Sequence, residues 1–172
     1  SLVSTSVDWK ECLANPQFCR KSFELTWQNR NAGFIRDPVL QCDVRQLADD
    51  HQYSFQVIED GSLVQLYYRY LPDGTRLEAA RLAFFSTGGV DATDEDPVGW
   101  LRIDYDPLPH GGILHHECHL HTSAFPDARV VVSKVPTPSQ FVEWVMSLCF
   151  QDNYRRHRME GKAREERETI LK

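Results

Sequence analysis

This sequence predicts an α+β fold: an antiparallel meander sheet of about five or six strands, helices on one face, and a charged C-terminal helix. Three observations carry that expectation. Asp60-Gly61 and Asp73-Gly74 stand between apolar or alternating runs, with the spacing and chemistry of tight β-turns. Residues 99–105 and 115–122 form two further strand-like runs joined by a Pro/Gly-containing loop. Thr137, Pro138 and Gln140 together make a helix start, with a hydroxyl to cap, a proline that suits the first turn, and a glutamine to complete a capping box.

The elements follow in order. Residues 7–14 suit a short helix stopped by Asn15-Pro16, because the residue before proline is driven out of the α region. Phe23, Leu25 and Trp27 alternate with Glu24, Thr26 and Gln28, the period of a half-buried strand. Residues 44–50 suit a short helix with Asp43 as its cap. The meander occupies 53–58, 63–71 and 76–85, and the Gly/Asp-rich segment 86–97 is an exposed loop. Residues 129–133 form a short apolar strand. In the helix from Pro138, Phe141, Trp144, Val145 and Leu148 make a stripe expected in the core. The organisation expected is one α+β domain over 1–154 and a charged helix over 155–172.

Composition restricts the function classes. With 25 acidic against 19 basic residues and a net charge of -6, a broad nucleic-acid-binding surface is disfavoured. Charge is uneven, however: Arg155, Arg156 and Arg158 cluster at the base of the tail, where they suit a local phosphate contact or simply a solvated helix start. No apolar run is long enough to span a bilayer, and no signal-peptide pattern stands at the start. Five cysteines, odd in number and without a CxxC pair, point to cytoplasmic thiols in place of a disulfide framework or zinc ribbon.

Five of seven histidines lie between residues 110 and 121. On a strand, His115, Glu117, His119 and His121 share one face, because side chains alternate with period two. Arg102 and Asp104, with Asp106, share a face of the preceding strand, and an antiparallel return would set them opposite the histidines. Neutral imidazole is a common transition-metal ligand and also the natural general acid–base near neutral pH. Asp104, His115, His119 and His121 are therefore candidate ligands of a divalent metal, and Arg102, Asp104 and His119 candidate catalytic groups. A polar outer strand face with a structural or binding role remains open beside both readings. The run is not HExxH, since Leu120 stands where the second histidine belongs. Cys118, within the same run, suits a nucleophile or ligand or, as the commoner state of a free cysteine, a buried inert thiol.

The motifs Asp60-Gly-Ser-Leu-Val-Gln-Leu66, Ala80-Arg-Leu-Ala-Phe-Phe85 and Leu101-Arg-Ile-Asp-Tyr-Asp106 occur in one order with three others, His116-Glu-Cys-His-Leu120, Arg129-Val-Val-Val-Ser133 and Pro138-Ser-Gln-Phe-Val142. In that order the chain resembles a bacterial family known as domain of unknown function 2290. The resemblance implies a bacterial cytosolic protein and assigns no catalytic residue. A more distant likeness is to small toxins of toxin–antitoxin pairs, where an Arg-x-Asp strand precedes a histidine-rich one; this chain departs from them in length and in its aromatic C-terminal helix. Two functional expectations result. One is a subunit of a defence or toxin–antitoxin-like system acting on nucleic acid through the Asp/His strands, nuclease-like in its chemistry. The other is a non-catalytic subunit that binds a protein partner through the strand face and C-terminal helix.

Overall fold

The computed structural model describes residues 17–19, 24–26, 40–57, 60–87, 91–107, 116–152, 154–156 and 158. Among them, eight strands make one sheet: β1 (Gln17–Cys19), β2 (Glu24–Thr26), β3 (Phe55–Gln56), β4 (Leu63–Tyr70), β5 (Leu77–Phe85), β6 (Trp100–Tyr105), β7 (Cys118–Thr122) and β8 (Phe125–Val131). The helices are α1 (Gln41–Asp49) and α2 (Pro138–Cys149). Strand order is β1-β2-β4-β5-β6-β7-β8, with β3 also on β4, and every pair is antiparallel. This is the α+β class the turns and alternation imply. The described residues up to Val135 belong to one compact unit and those from Pro136 onward to another. No helix among the described residues is long and apolar enough to cross a membrane.

Turn chemistry sets the meander. Gly61 and Gly74 sit at φ +78 and +69, in the left-handed region open to glycine, and the preceding aspartates tie the turns down. Asp60 Oδ1 accepts from the Ser62 N–H at 2.9 Å, and Asp73 Oδ1 from the Thr75 N–H at 2.9 Å. The register then runs unbroken from Leu63↔Phe85 to Arg69↔Ala79 and from Phe85↔Trp100 to Ala80↔Tyr105.

Because opposite residues point to the same side, this register arranges one sheet face in rows. The first row is Leu63, Phe85 and Trp100; the second is Gln65, Ala83, Arg102 and His121; the third is Tyr67, Arg81, Asp104, His119 and Val131. Helix α1 covers the first row: Val44 and Leu47 join Leu63, Ala83, Phe85, Val98 and Trp100 in one buried cluster. On the opposite face Val64, Leu66, Ala80, Leu82, Phe84, Leu101 and Ile103 are buried, which explains why β4 to β6 are apolar at nearly every position except the second and third rows.

Several boundaries depart from expectation. Helix α1 begins at Gln41, not at 44, and Asp43 is its third residue, not its N-cap. The first amides of the helix are taken by a distant segment, Gln41 N–H donating to Asp96 O at 2.8 Å and Cys42 N–H to Asp94 O at 3.1 Å. Asp43 instead accepts from the Leu40 N–H at 3.1 Å. The 86–97 loop thus anchors a helix end, aided by Arg45 against Asp94 and the Ala92 carbonyl. Strand β8 starts at Phe125, directly after a two-residue turn, with a register shift against β7 between Leu120 and Thr122. Its Pro126 is compatible with an edge strand, the exception that masked it in the sequence.

Helix α2 has the expected cap: Thr137 Oγ1 accepts from Gln140 N–H at 3.3 Å, and Gln140 Oε1 from Thr137 N–H at 3.0 Å. Its expected core stripe is corrected in part. Phe141, Val142 and Val145 are buried, while Trp144 and Leu148 are 42% and 64% exposed. On a 3.6-residue repeat Val142 and Val145 turn the buried arc away from Trp144. The helix expected over 7–14 lies outside the described residues.

Candidate functional site

Asp104 stands at the centre of the third row. Its cross-strand neighbours are Arg81 on β5 and His119 on β7. Arg102, two positions back on β6, has His121 opposite it. The side chains meet accordingly. Arg102 Nε donates to Asp104 Oδ2 at 2.7 Å, Arg81 Nε lies 3.4 Å from Asp104 Oδ1, and His121 Nε2 lies 3.8 Å from Oδ2. The His119 and His121 rings meet edge to face with centroids 4.7 Å apart. Asp104, His119 and His121 each offer one ligating atom, and these atoms lie within 4.8 Å of one another.

Burial gives the site depth. His119 and His121 are 3% and 8% exposed, whereas the Arg81 side chain is 47% exposed. The imidazoles are buried, and Arg81 is the exposed member of the cluster. Asp104 Oδ1 is buried and accepts no hydrogen bond from the described residues, an unusual state for a carboxylate oxygen.

Local structure sets the histidine tautomer. His119 Nδ1 lies 2.8 Å from the His116 carbonyl. A carbonyl only accepts, so Nδ1 carries the proton and, in the neutral ring, Nε2 carries the lone pair. Strand β7 begins at Cys118, not at 115, directly after this contact. Glu117 sits on an exposed bend just before the strand, where its carbonyl accepts from the Asp106 N–H at 2.9 Å. His115 lies outside the described residues.

Electrostatics favour neutral imidazole. His121 is held below its ordinary range, first by burial and then by the Arg102 charge and by His119; Asp104 opposes that shift and Arg129 on β8 adds to it. Burial, with Asp104 nearby, pushes the Cys118 thiol up to about 11. A thiol so protonated is a poor nucleophile at neutral pH, in keeping with an inert role.

Of the residues singled out in the sequence, the fold brings together Arg102, Asp104, His119 and His121. Arg155, Arg156 and Arg158 are exposed and helical. Arg158 Nη1 lies 3.5 Å from Glu143 Oε1, and its guanidinium lies 5.8 Å from the Tyr154 ring centroid, so part of that basic cluster is held against α2. Sequence reasoning missed Arg81 and Arg129. Arg81 had a signal: it is the one charged residue within the apolar run from Ala79 to Phe85. Arg129 was read as the end of an apolar strand, and the β7–β8 register shift that sets it near His121 leaves no mark in the sequence.

No curated protein and no solved structure matches this chain. One family model does, described as "Uncharacterized conserved protein (DUF2290)", over residues 11–172. The chain that builds this Arg/Asp/His cluster is a member of the domain of unknown function 2290 family.

Proposed function

We propose that the cluster is a nucleic-acid-directed site that binds a phosphodiester and acts on it by acid–base chemistry. The observation that supports this most is the convergence of two arginines and two buried imidazoles on one carboxylate, Asp104. Guanidinium pairs well with phosphate oxygens, and the half-exposed Arg81 side chain is accessible to a polymer at the surface. A neutral imidazole takes a proton from the attacking hydroxyl or water, the bond from phosphorus to the leaving sugar oxygen breaks, and the imidazolium so formed returns the proton to that oxygen, while Arg102 and Arg81 balance charge developing on the phosphate. Asp104 holds both arginines in register. A local cationic patch on a chain of net charge -6 matches contact with a few phosphates and not a long duplex footprint.

The setting we propose is a cytoplasmic subunit of a defence or toxin–antitoxin-like system, with a protein partner. The thiols Cys42 and Cys118 support a reducing compartment. A neighbouring reading frame that encodes an antidote or sensor is the expected finding. The site is tested with purified protein and labelled single-stranded RNA, single-stranded DNA and duplex DNA, with and without chelator. Expected are binding that weakens with salt and product formation lost in Asp104→Asn. Arg81→Gln should lower the salt slope by about 1. No binding to any of the three nucleic acids overturns the proposal.

A second reading, a non-catalytic interaction subunit, draws on other residues. Phe125, Val130 and Val131 on β8 and Trp144 and Leu148 on α2 are large, apolar and exposed. Loss of partner capture on Phe125→Ser or Leu148→Ser, with Asp104→Asn silent, would favour it.

A further inference from the structure

We propose that Asp104, His119 and His121 bind a first-row transition-metal dication, with zinc as the working ion. The proposal names a cofactor for the site discussed above and rests on that reading only for the metal's use: with both imidazoles on the metal, a water held by the metal would replace the free imidazole as the proton-accepting partner. Three features of the cluster carry it.

First, the ligand set is right in kind and in spacing. Two imidazoles and one carboxylate suit zinc, iron, cobalt or manganese and not magnesium or calcium, which take oxygen ligands. Ligating atoms within 4.8 Å of one another leave a central point within about 2.8 Å of each, and metal–ligand bonds of about 2.0–2.2 Å need each side chain to move by under about 1 Å. Second, Asp104 Oδ1 is buried without a hydrogen bond from the described residues. The Arg81 guanidinium at 3.4 Å offsets part of its desolvation, and coordination would supply the direct contact that this oxygen lacks. Third, His119 donates Nδ1–H to the His116 carbonyl at 2.8 Å. That backbone contact fixes the tautomer and directs Nε2 as a ligand, the arrangement that orients most metal-binding histidines.

Arg81 and Arg102 stand on the same carboxylate and oppose a dication. They make this centre weaker than a structural zinc site, and they favour an anion as the fourth ligand. A carboxylate has about four lone-pair positions, so Arg102 on Oδ2 at 2.7 Å leaves Asp104 capacity for a metal. A phosphate oxygen as fourth ligand would tie the metal to the proposed substrate.

The test uses the full chain stripped of metal by chelation. Co2+ is titrated and followed by its visible ligand-field absorption, and Zn2+ by calorimetry. Expected is one equivalent bound, weakened at least about tenfold in each of Asp104→Asn, His119→Gln and His121→Gln, and unchanged in His51→Gln, an exposed histidine outside the site. Equal stoichiometry and affinity across all variants, as histidines elsewhere would produce, overturns the proposal, and so does the absence of binding. A measurement on the unmodified chain guards against unfolded variants: the assigned imidazole resonances of His119 and His121 must move at one equivalent of Zn2+, and failure to move overturns it. Nucleic acid processed in chelator by a protein that binds no metal would leave the functional reading standing and remove the metal. Metal held at the three residues by a protein that neither binds nor cleaves nucleic acid would do the reverse.

Discussion

The two ends of one sheet face solve burial in opposite ways. At one end Leu63, Phe85 and Trp100 are covered by Val44 and Leu47 of α1 and need only shape complementarity. One and two rows along the same strands, Arg81, Arg102, Asp104, His119 and His121 are buried or half-buried by satisfying one another. Arg81 and Phe85 stand four positions apart on β5, and Trp100 and Asp104 four apart on β6, so the same strands supply both solutions. Hydrophobic packing does not require particular partners, whereas a buried carboxylate between two guanidiniums tolerates few replacements. The first end should therefore govern stability, and the second should govern function at a modest stability cost.

The contrast is open to attack in order of expected size. Phe85→Ala should destabilise the fold by about 3–5 kcal/mol in urea titration, since the ring is buried in a packed cluster. The folded fraction should still bind whatever the polar end binds. Loss of binding in proportion to site occupancy, with stability unchanged, would break the division between the ends. Asp104→Ala should cost about 2–3 kcal/mol, because it leaves Arg102 largely buried without its carboxylate. Equal stability to the parent would mean the polar end is solvated. His121→Phe removes the imidazole while keeping an aromatic of similar width, and should change stability by under about 1.5 kcal/mol while abolishing the site's activity. A large loss of stability in that variant would make His121 structural.

The smallest effect lies at the edge of the polar end, where Tyr67 donates its hydroxyl to Glu24 at 2.6 Å. Burial, then that hydrogen bond, raises Tyr67 from 10.0 to about 12. The unfolded chain therefore loses this proton first. The stability it supports is whole below pH 10, declines as pH rises, and is gone above about 12. Tyr67→Phe should flatten part of that alkaline slope, with the remainder due to Tyr68, which burial also raises. An unchanged slope in Tyr67→Phe would show that Tyr67 is not held above its ordinary range in solution, by burial or by Glu24.

Local chemistry in the sequence determined the turns at Asp60-Gly61 and Asp73-Gly74, the reciprocal cap of Thr137 and Gln140, and the alternation that made Arg102 and Asp104 neighbours on one face. Each depends on residues within four positions of each other, so no distant contact is needed to decide it. The same holds for the pairing of His119 with His121. What tertiary structure alone decided depends on register and on remote partners. It put Arg81 and His119 opposite Asp104, set Arg129 near His121 through a register shift, and moved the start of α1 to Gln41 by supplying the carbonyls of Asp94 and Asp96. It also set the start of the histidine strand at Cys118 and the ring of His119 against the His116 carbonyl. Side-chain period two is a property of a single strand, but which residue faces it across the sheet is a property of the pair, and one chain segment read alone carries no record of its partner.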